Sequence, residues 1–453
     1  MNINKNDIIE LDIIDITHDG SGVGKYNNMV IFVPNTAPGD KISAHIIKAQ
    51  KNYAYGKIKE IIIPSKNRII PDCNSFKSCG GCNFRHINYD TELNLKYNMV
   101  YENIKRIAKL DIIPDKIIGA ENITAYRNKM QIPVGTDKTG NIKIGFYGFH
   151  SHNIIDTTEC LLHKQIFNNI INDIKNWMIE YKILPYNELT NKGLIRHIFI
   201  RENFNSSKIM LCLVTANKDI KNLNYLIDII KEKYKQVKTI LLNINNKKTN
   251  IILGNKNIVL FGDGYINDEL CGKKFKISPL SFYQVNHDMA ETLYNIVLNW
   301  LENIKPKTIL DLYCGIGTIG LCAAHLCEKL IGVEIIKEAV YDADFNAEIN
   351  NISNAEFICS GADEAAAKLK KENLKADVII VDPPRKGLSS ELINTIVNIS
   401  PLNIIYVSCN PATLSRDLLL LSKKGYNVQK IQPVDLFPRT IHVETVVLLE
   451  RNV

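Results

Sequence analysis

The sequence of 453 residues lacks any apolar run long enough to cross a membrane and carries only a modest excess of positive charge. A membrane-spanning helix needs about 20 consecutive apolar residues. The first ten residues also lack an apolar segment of the length found in signal peptides. We therefore expect a cytoplasmic protein with no membrane partner. The net charge of +7 permits an anionic partner such as a nucleic acid but does not demand one.

Disulfides are not expected, although the chain contains eleven cysteines. A reducing compartment keeps thiols free, so these cysteines need a metal-binding, catalytic or packing role. Four of them stand apart by their spacing, namely Cys73, Cys79, Cys82 and the distant Cys160. Four thiolates can hold either tetrahedral zinc or an iron–sulfur cluster. Zinc sites favour two closely spaced pairs, and only Cys79 and Cys82 form one, so the irregular spacing favours a cluster.

Three domains are expected from changes in pattern along the chain. Residues 1–62 contain four or five short β-type runs separated by turn signals such as Asp19–Gly24, which predicts a small antiparallel OB-like barrel. Acidic and basic residues nearly balance there, so charge alone supports RNA binding weakly. Residues 63–270 combine the cysteine-rich segment, a helix near 92–110 and mixed α/β material. Residues 271–453 alternate strands and helices, which predicts a doubly wound, mostly parallel sheet.

A glycine-rich loop follows the first strand of the last domain and opens a helix. Its glycines, Gly315, Gly317 and Gly320, let the backbone approach a ligand, and the helix N-terminus supplies free N–H groups. Glu334 ends the next strand, where a carboxylate can accept hydrogen bonds from both hydroxyls of an adenosine ribose. The same pattern also fits a dinucleotide. However, Asp311 beside the turn would repel a pyrophosphate and suits a cationic sulfonium, which favours S-adenosylmethionine over NAD.

Two later strand ends also carry reactive or polar side chains. Asp382 is followed by Pro383 and Pro384, which hold the chain extended at the strand tip, over the cofactor. Cys409 ends an apolar run at 403–408, and side chains at the carboxyl ends of strands in open α/β sheets face a cleft. A free cysteine is also commonly a buried small hydrophobe. Position alone therefore leaves both interpretations of Cys409 open.

Taken together, these segments resemble the RNA uracil-5-methyltransferases, specifically the bacterial 23S ribosomal RNA type with an N-terminal TRAM barrel. The resemblance covers nearly the whole chain, and several of its motifs are specific in combination and order. One departure is Leu280, where many relatives carry a larger polar or basic residue. The motifs that carry the resemblance, besides the barrel and the glycine loop, are Cys73–Cys82, Tyr126–Gln131, Glu159–Cys160, Gly193–His197, Ser278–Asn286, Asp382–Arg385, Ser408–Pro411 and His442–Glu444.

The resemblance implies a Rossmann-like class I methyltransferase domain at the C-terminus and two cofactors. A 4Fe–4S cluster would be held by the four spaced cysteines. S-adenosylmethionine would contact Gln284, Tyr313, Glu334 and Asp382, with Asp363 as a further contact near the adenine.

The chemistry of uracil methylation assigns roles to two residues. Carbon 5 of uracil is a poor nucleophile, and a thiolate that adds to carbon 6 creates an enolate that can attack the sulfonium methyl group. Cys409 is the predicted nucleophile. A base must then remove the proton from carbon 5, and Glu444 of the His442–Glu444 motif is the candidate. The target base must also be extruded from its stack into the pocket.

The expected partner is RNA, most directly 23S ribosomal RNA, and the protein is expected to act as a monomer without DNA. Rings and cations alternate at 126–129 and 143–147, as stacking on bases requires, although a β-hairpin with a solvated face explains them equally well. A tRNA-directed uracil-5-methyltransferase is the nearest alternative. An iron–sulfur oxidoreductase using a dinucleotide and a non-catalytic RNA-binding factor are the others.

Overall fold

The computed structural model describes residues 3–149, 151–157, 159–248, 251–372 and 374–452. These residues form a small N-terminal barrel and two seven-stranded sheets, with a short β-hairpin between the sheets in the chain. Within the described ranges, every helix is too short or too polar to cross a membrane.

Five strands form the closed N-terminal barrel: β1 (Ile8–Ile16), β2 (Gly22–Tyr26), β3 (Met29–Val33), β4 (Lys41–Ala49) and β5 (Tyr53–Ile63). Their order around the barrel is β1-β2-β3-β5-β4. Strands β3 and β5 pair in parallel, and the other neighbours pair antiparallel. Alternate side chains point inward and fill the barrel with aliphatic residues. The predicted N-terminal barrel is confirmed.

Strand β2 lies in a segment that the sequence predicted to be a turn. A Cβ atom on Gly22 would lie 1.8 Å from Thr36 Oγ1, and one on Gly24 would lie 2.3 Å from Leu11 Cδ1. These two glycines are therefore strand residues at which no side chain fits. Close packing inside a small barrel explains Gly22 and Gly24, whereas Gly20, with φ of 84°, lies in a turn as the sequence predicted.

The cysteine-rich segment leads into helix α1 (Tyr89–Asn103), which continues as a π-helical turn (Ile104–Ala108). Asn88 caps the helix, because its side chain accepts a hydrogen bond of 2.8 Å from the Thr91 N–H. Val100 and the π-helical turn pack into the hydrophobic layer of the C-terminal sheet. Helix α1 thus lies on the C-terminal sheet, although it precedes the central sheet in the chain.

The central sheet contains β6 (Lys129–Thr136), β7 (Ile142–Tyr147), β8 (Ile154–Asp156), β9 (Ile195–Glu202), β10 (Ile209–Thr215), β11 (Val237–Ile244) and β12 (Lys256–Phe261). The strand order is β12-β11-β10-β9-β6-β7-β8. Helices α2 (Gln165–Glu180) and α3 (Leu223–Lys233) cover one face. Side chains of the opposite face pack in one cluster with the C-terminal sheet and its helices. The two sheets therefore share a core.

A hairpin of β13 (Ile266–Leu270) and β14 (Lys273–Ile277) precedes the C-terminal sheet. That sheet contains β15 (Thr308–Leu312), β16 (Lys329–Glu334), β17 (Ala355–Cys359), β18 (Val378–Val381), β19 (Asn403–Ser408), β20 (Tyr426–Val434) and β21 (Glu444–Arg451). The order is β17-β16-β15-β18-β19-β21-β20. Six strands run in the same direction, and β21 runs antiparallel between β19 and β20.

Helices lie on both faces of the C-terminal sheet and bury two separate hydrophobic layers. They are α4 (His287–Ile304), α5 (Thr318–Ala323) with a following 3₁₀ turn (Ala324–Leu326), α6 (Lys337–Ile349), α7 (Ala362–Lys371), α8 (Ser390–Ile399) and α9 (Pro411–Ser422). Strand β19 has the bounds of the apolar run predicted at 403–408, and Glu334 ends β16 as predicted, but β20 was not anticipated. Strand β20 is a polar edge strand with Pro433 near its end, which weakens its β signal.

Candidate active site

Three predicted cofactor residues lie side by side at the carboxyl edge of the C-terminal sheet. The last residue of β15 is in register with the ends of β16 and β18. Tyr313 and Asp382, which follow β15 and β18, therefore meet Glu334, the final residue of β16. Tyr313 adopts a left-handed conformation with φ of 70°, so the chain turns sharply there into the glycine loop. The parallel register is what brings these residues together.

The antiparallel return of β21 brings Glu444 to the same edge. Ser408 pairs with Thr445 across β19 and β21, so the next residues in this register are Cys409 and Glu444. The two side chains are thus cross-strand neighbours, although 35 positions separate them in the sequence. Glu444 is buried at 5% exposure, and Cys409 is half-buried. The structure brings the predicted nucleophile and the predicted base together.

Burial dominates the electrostatics of this pair. It raises the pKa of the Glu444 carboxyl to about 8, and the nearby Asp382 carboxylate adds to that effect. Burial also raises the pKa of the Cys409 thiol to about 11, with further contributions from the charges of Glu444 and Asp382. The Arg385 guanidinium acts in the opposite direction on both groups. The resting thiol is therefore protonated near neutral pH.

The glycine loop holds the two acidic residues that the sequence predicted beside it. Gly315 N–H and Ile336 N–H donate to the two carboxylate oxygens of Glu334, at 3.1 and 2.9 Å. Gly320 N–H donates to Oδ2 of Asp311 at 3.0 Å. The other oxygen of Asp311, Oδ1, is buried and has no hydrogen-bond partner among the residues that the structure describes.

Burial raises the pKa of Asp311 to about 8, with the charges of Asp382 and Glu334 adding to the effect. Burial alone raises the pKa of Asp382 to about 7. Three carboxyl groups with raised pKa values, on Asp311, Asp382 and Glu444, thus occupy one edge of the sheet. Such a set can stabilise a bound cation, because a positive charge would favour their ionised forms.

The loop after Asp382 and the turn after Cys409 are joined by hydrogen bonds. The Arg385 carbonyl accepts from Asn410 Nδ2 and from Thr413 Oγ1, both at 3.1 Å. Asn410 also caps helix α9, because its side chain accepts from the Ala412 N–H. The Cys409 thiol therefore precedes the positive end of α9, on a turn that is attached to the Asp382 loop.

Arg385 and His442 line the cavity that contains Cys409. Arg385 Nη2 lies 3.1 Å from His442 Nε2, and burial together with the Arg385 charge lowers the pKa of His442 to about 4. The imidazole is therefore neutral. The cavity measures about 510 Å³, and His18 of the N-terminal barrel forms part of its wall. The N-terminal barrel and the carboxyl edge of the C-terminal sheet therefore border the same cavity.

Asp363 lies near Tyr313 but is already engaged with a neighbouring helix. It begins α7 and accepts a hydrogen bond from the Ser389 hydroxyl. Burial, and then the Asp363 charge, raises the pKa of Tyr313 to about 12.

Gln284 has a different position from the other predicted cofactor residues. Its backbone carbonyl accepts from Asn128 Nδ2 at 2.9 Å. Gln284 and the cysteine-rich segment line the same cavity of about 430 Å³. The structure therefore places Gln284 between the central sheet and the cysteines.

All four spaced cysteines line that same cavity, namely Cys73, Cys79, Cys82 and Cys160. Burial raises the pKa of Cys160 to about 12, and it raises those of Cys79 and Cys82 as well. Gly81 N–H donates to Cys79 Sγ at 3.4 Å. Across the described ranges, no group of three or more His, Cys, Asp or Glu side chains is arranged to hold a metal ion.

The ring-and-cation segment at 126–129 does not form an exposed stacking surface. Tyr126 is buried, and its hydroxyl donates to the Pro438 carbonyl at 2.9 Å. Lys129 is largely enclosed, and burial lowers its pKa to about 8. The expectation that Tyr126 stacks on bases is therefore wrong. The alternative β-hairpin is present as β6 and β7, with Tyr147 at 42% exposure.

A buried ion network fixes the segment that precedes Glu444, and the sequence analysis missed it. Lys96 Nζ on α1 donates to Glu92 Oε1 at 2.8 Å and to Asp435 Oδ1 at 2.7 Å, and all three side chains are fully buried. Arg439 pairs with the same Glu92 at 3.4 Å. The Arg439 carbonyl accepts from Asn83 N–H, next to Cys82. No local pattern reveals contacts across more than 330 residues.

The fold and this site define a class of protein. A mostly parallel sheet with a glycine-rich turn, an acidic residue at the end of its second strand and a polar edge is the architecture of a nucleoside-binding methyltransferase. A family model described as tRNA (uracil-5-)-methyltransferase matches residues 210–452, and a TRAM domain model matches residues 4–59. The chain belongs to the tRNA (uracil-5-)-methyltransferase family and is an RNA methyltransferase.

Curated relatives match over nearly the full length. An uncharacterized RNA methyltransferase of Clostridium acetobutylicum is 44% identical over 452 residues, which are 99% of this chain and 98% of that protein. One from Listeria innocua is 42% identical over 449 residues, 99% and 98% of the two chains. Among solved structures, the tRNA (uracil-54, C5)-methyltransferase of Pyrococcus abyssi in complex with S-adenosyl-L-homocysteine is similar, with a TM-score of 0.76, 26% identity and coverage of 97% and 100%.

Proposed function

We propose that this protein transfers a methyl group from S-adenosylmethionine to carbon 5 of a uridine in RNA, with Cys409 as nucleophile and Glu444 as base. The observation that carries the proposal is the cross-strand placement of this thiol and this carboxyl at one edge of the sheet. The solved neighbour from Pyrococcus abyssi, which was crystallised with S-adenosyl-L-homocysteine, supports the cofactor.

The residues present fit a cationic methyl donor. Asp311 Oδ1 is buried and unpartnered, so it can accept a hydrogen bond from an ammonium group. Glu334 ends β16, where a ribose can be held, and Asp382 and Tyr313 lie beside it. When bound, S-adenosylmethionine supplies an electrophilic methyl group on a sulfonium. The raised pKa values of Asp311 and Asp382 would fall toward their usual range beside that positive charge.

The mechanism begins with the Cys409 thiol. After it loses its proton, the thiolate adds to carbon 6 of the uracil and forms a carbon–sulfur bond, which makes carbon 5 nucleophilic. Once carbon 5 carries the methyl group, the Glu444 carboxylate removes its proton. The carbon–sulfur bond then breaks, the carbon 5–carbon 6 double bond returns, and the thiolate is regenerated. Glu444 must be ionised for its step, and its burial makes it a stronger base than an exposed glutamate.

The cavity that contains Cys409 suits an extruded base. Its wall combines the polar or cationic side chains of Arg385, His442 and Asn410 with apolar ones such as Met99 and Ile441. A base inside a duplex cannot reach the thiol, so the target nucleotide has to leave its stack. Donors on Arg385 and Asn410 can pair with the uracil oxygens.

Cys73, Cys79, Cys82 and Cys160 are proposed to hold a 4Fe–4S cluster. The chemistry of the donor set fits, because the four thiols line one cavity and a backbone N–H already donates to Cys79 Sγ. Methyl transfer is electron-neutral, so we propose a structural role for the cluster, which would hold the contact between Asn83, next to Cys82, and Arg439.

We propose 23S ribosomal RNA as the substrate, because the motifs of this chain resemble those of the uracil-5-methyltransferases of the 23S ribosomal RNA type. Transfer RNA is the second candidate, and the tRNA (uracil-54, C5)-methyltransferase from Pyrococcus abyssi favours it.

The test is methylation of 23S ribosomal RNA and of tRNA with labelled S-adenosylmethionine, mapped to single nucleotides. Wild type is expected to label carbon 5 of a uridine, and Cys409→Ala is expected to lose that activity while it retains RNA binding. Cys359→Ala, an exposed cysteine beside the sheet edge, is the matched control. Labelled RNA without methylation at carbon 5, or full activity in Cys409→Ala, would contradict the proposal.

A further inference from the structure

The outer face of the barrel carries an aromatic surface that the catalytic site does not use. We propose that Phe32, Tyr53 and Tyr55 form a platform on which unpaired RNA bases outside the target nucleotide stack, with Lys25, Lys48 and Lys57 around it to bind the RNA backbone. This proposal rests on RNA being the substrate, and we call these three rings the barrel platform.

The platform follows from the parallel pairing of β3 with β5. Phe32 is in register with Tyr55 across this pair, and Tyr53 lies two residues earlier on β5, on the same face. The ring centroids lie 5.6 Å apart for Phe32 and Tyr55, 6.0 Å for Phe32 and Tyr53, and 5.6 Å for the two tyrosines. Their neighbours Ile31, Val33, Ala54 and Gly56 point into the barrel.

All three rings are open to solvent to some degree. Tyr53 is 38% exposed, Tyr55 is 37% exposed, and Phe32 is partly exposed. Within the described part of the chain, neither phenol hydroxyl of the two tyrosines makes a hydrogen bond to the protein. Exposing large aromatic rings to water is unfavourable, and one cross-strand pair of side chains would be enough to stabilise the pairing of β3 with β5. Their grouping therefore points to a partner with flat apolar faces.

The charges around the platform are of one sign. Strands β2 to β5 carry five lysines against one carboxylate, Glu60, whereas β1 carries three carboxylates and no lysine. Lys48 is in register with Tyr55, and Lys57 follows Tyr55 on the same face of β5. Lys25 lies on β2, opposite Val30 and close to Phe32. Acidic and basic residues nearly balance over the whole barrel, but the face around the barrel platform is basic.

Unpaired RNA fits this surface better than a duplex or an apolar protein. Stacking requires bases with exposed faces, which a duplex hides and a single strand offers. A ring of lysines attracts a phosphate backbone but would oppose an uncharged protein surface. The same barrel reaches the Cys409 cavity through His18. The platform and part of the wall of the Cys409 cavity therefore belong to the same domain.

The test uses the full-length protein with the double variant Tyr53→Leu/Tyr55→Leu, which keeps apolar bulk and removes the rings. Tyr225→Leu is the matched control, because Tyr225 is 47% exposed on α3, away from the barrel. Affinity is measured by fluorescence anisotropy for a labelled single-stranded RNA and for the same strand in a duplex. Stacking contributes enough per base that the single strand should bind at least about fivefold more weakly to the double variant.

Two further measurements separate stacking from folding and from catalysis. The KM for RNA should rise in the double variant, whereas the KM for S-adenosylmethionine and kcat should stay unchanged. In Lys48→Gln/Lys57→Gln, the slope of log affinity against log salt should decrease by about 0.7 for each lysine that contacts a phosphate.

Each outcome bears on the platform separately from the proposed activity. Unchanged single-strand affinity in the double variant, with methylation intact, would overturn the platform and leave the activity standing. An equal loss for single strand and duplex would also overturn it, because bases in a duplex cannot stack there. Selective loss for the single strand, in a protein that methylates no uridine, would support the platform and refute the proposed activity.

Discussion

Substitution of Glu444 by glutamine should have opposite effects on the formation and the release of the covalent intermediate. The pKa of the Cys409 thiol lies about two units above 9.0, at about 11, and burial causes the largest part of that rise. The neighbouring Glu444 charge raises the pKa of the thiol further, as a smaller contribution than burial. Glu444 itself titrates at about 8, so it is ionised throughout the range in which the thiol titrates.

In Glu444→Gln, the pKa of Cys409 should fall, because one of the charges that raise it is removed. At pH 8.5, below the pKa of the thiol, each unit of decrease raises the thiolate fraction about tenfold. The intrinsic nucleophilicity of the thiolate falls with its pKa, so the net gain in alkylation rate is roughly threefold for each unit. The assay is the rate of iodoacetamide alkylation of Cys409, followed by mass spectrometry of its peptide. Glu450→Gln, which removes an exposed carboxylate from the same strand, is the control.

With RNA and S-adenosylmethionine, Glu444→Gln should stop after methyl transfer, because no base removes the proton from carbon 5. A protein–RNA adduct should then persist on a denaturing gel, and turnover should fall by about 10²- to 10⁴-fold. Unchanged alkylation kinetics would show that the Glu444 charge does not affect the pKa of the Cys409 thiol. Normal turnover without an adduct would refute Glu444 as the base, whatever the alkylation result.

Three more predictions concern the groups that support the site. Burial raises the pKa of the Asp382 carboxyl from 3.8 to about 7, so between these pH values the ligand-free folded state holds a proton that the unfolded state has lost. The contribution of this proton to the free energy of unfolding should be full below about pH 4 and decline up to pH 7. Asp382→Asn should flatten this decline, as measured by urea unfolding. Lys96→Met leaves Asp435 buried without its cation and Glu92 with Arg439 as its remaining cation, and should cost about 3–5 kcal/mol in the free energy of unfolding; a loss below 1 kcal/mol would contradict it. Anaerobically purified Cys82→Ser should lose bound iron and sulfide, whereas Cys271→Ser should keep both; equal metal contents in the two variants would contradict the proposed cluster.

The sequence was most informative where local chemistry determines local structure. Short continuous apolar runs separated by helical patterns indicated the strands of the C-terminal sheet, because strands of a sheet covered on both faces are apolar throughout. The segment around Gly315 and the acid at Glu334 were recognisable because a tight turn needs particular residue types. Strand β2 was mistaken for a turn, since a glycine that avoids a clash inside a barrel looks the same in sequence as a glycine that permits a turn.

Tertiary structure decided every relation between distant segments. Only the antiparallel register of β19 and β21 makes Cys409 and Glu444 neighbours, and only the fold brings Cys160 to the cavity of the other three cysteines. Helix α1 packs on the C-terminal sheet through Lys96, a contact that has no signature in either segment alone.

Residue types and short spacings therefore determined which atoms are available for chemistry: a thiol at a strand end, an acid after a second strand, and four cysteines. What they left open was which of these atoms meet, how far each is buried, and hence at what pH each ionises. The physical reason is that burial and long-range pairing are properties of the packed chain. A sequence displays them only through the sum of many weak contacts, and no single motif encodes them.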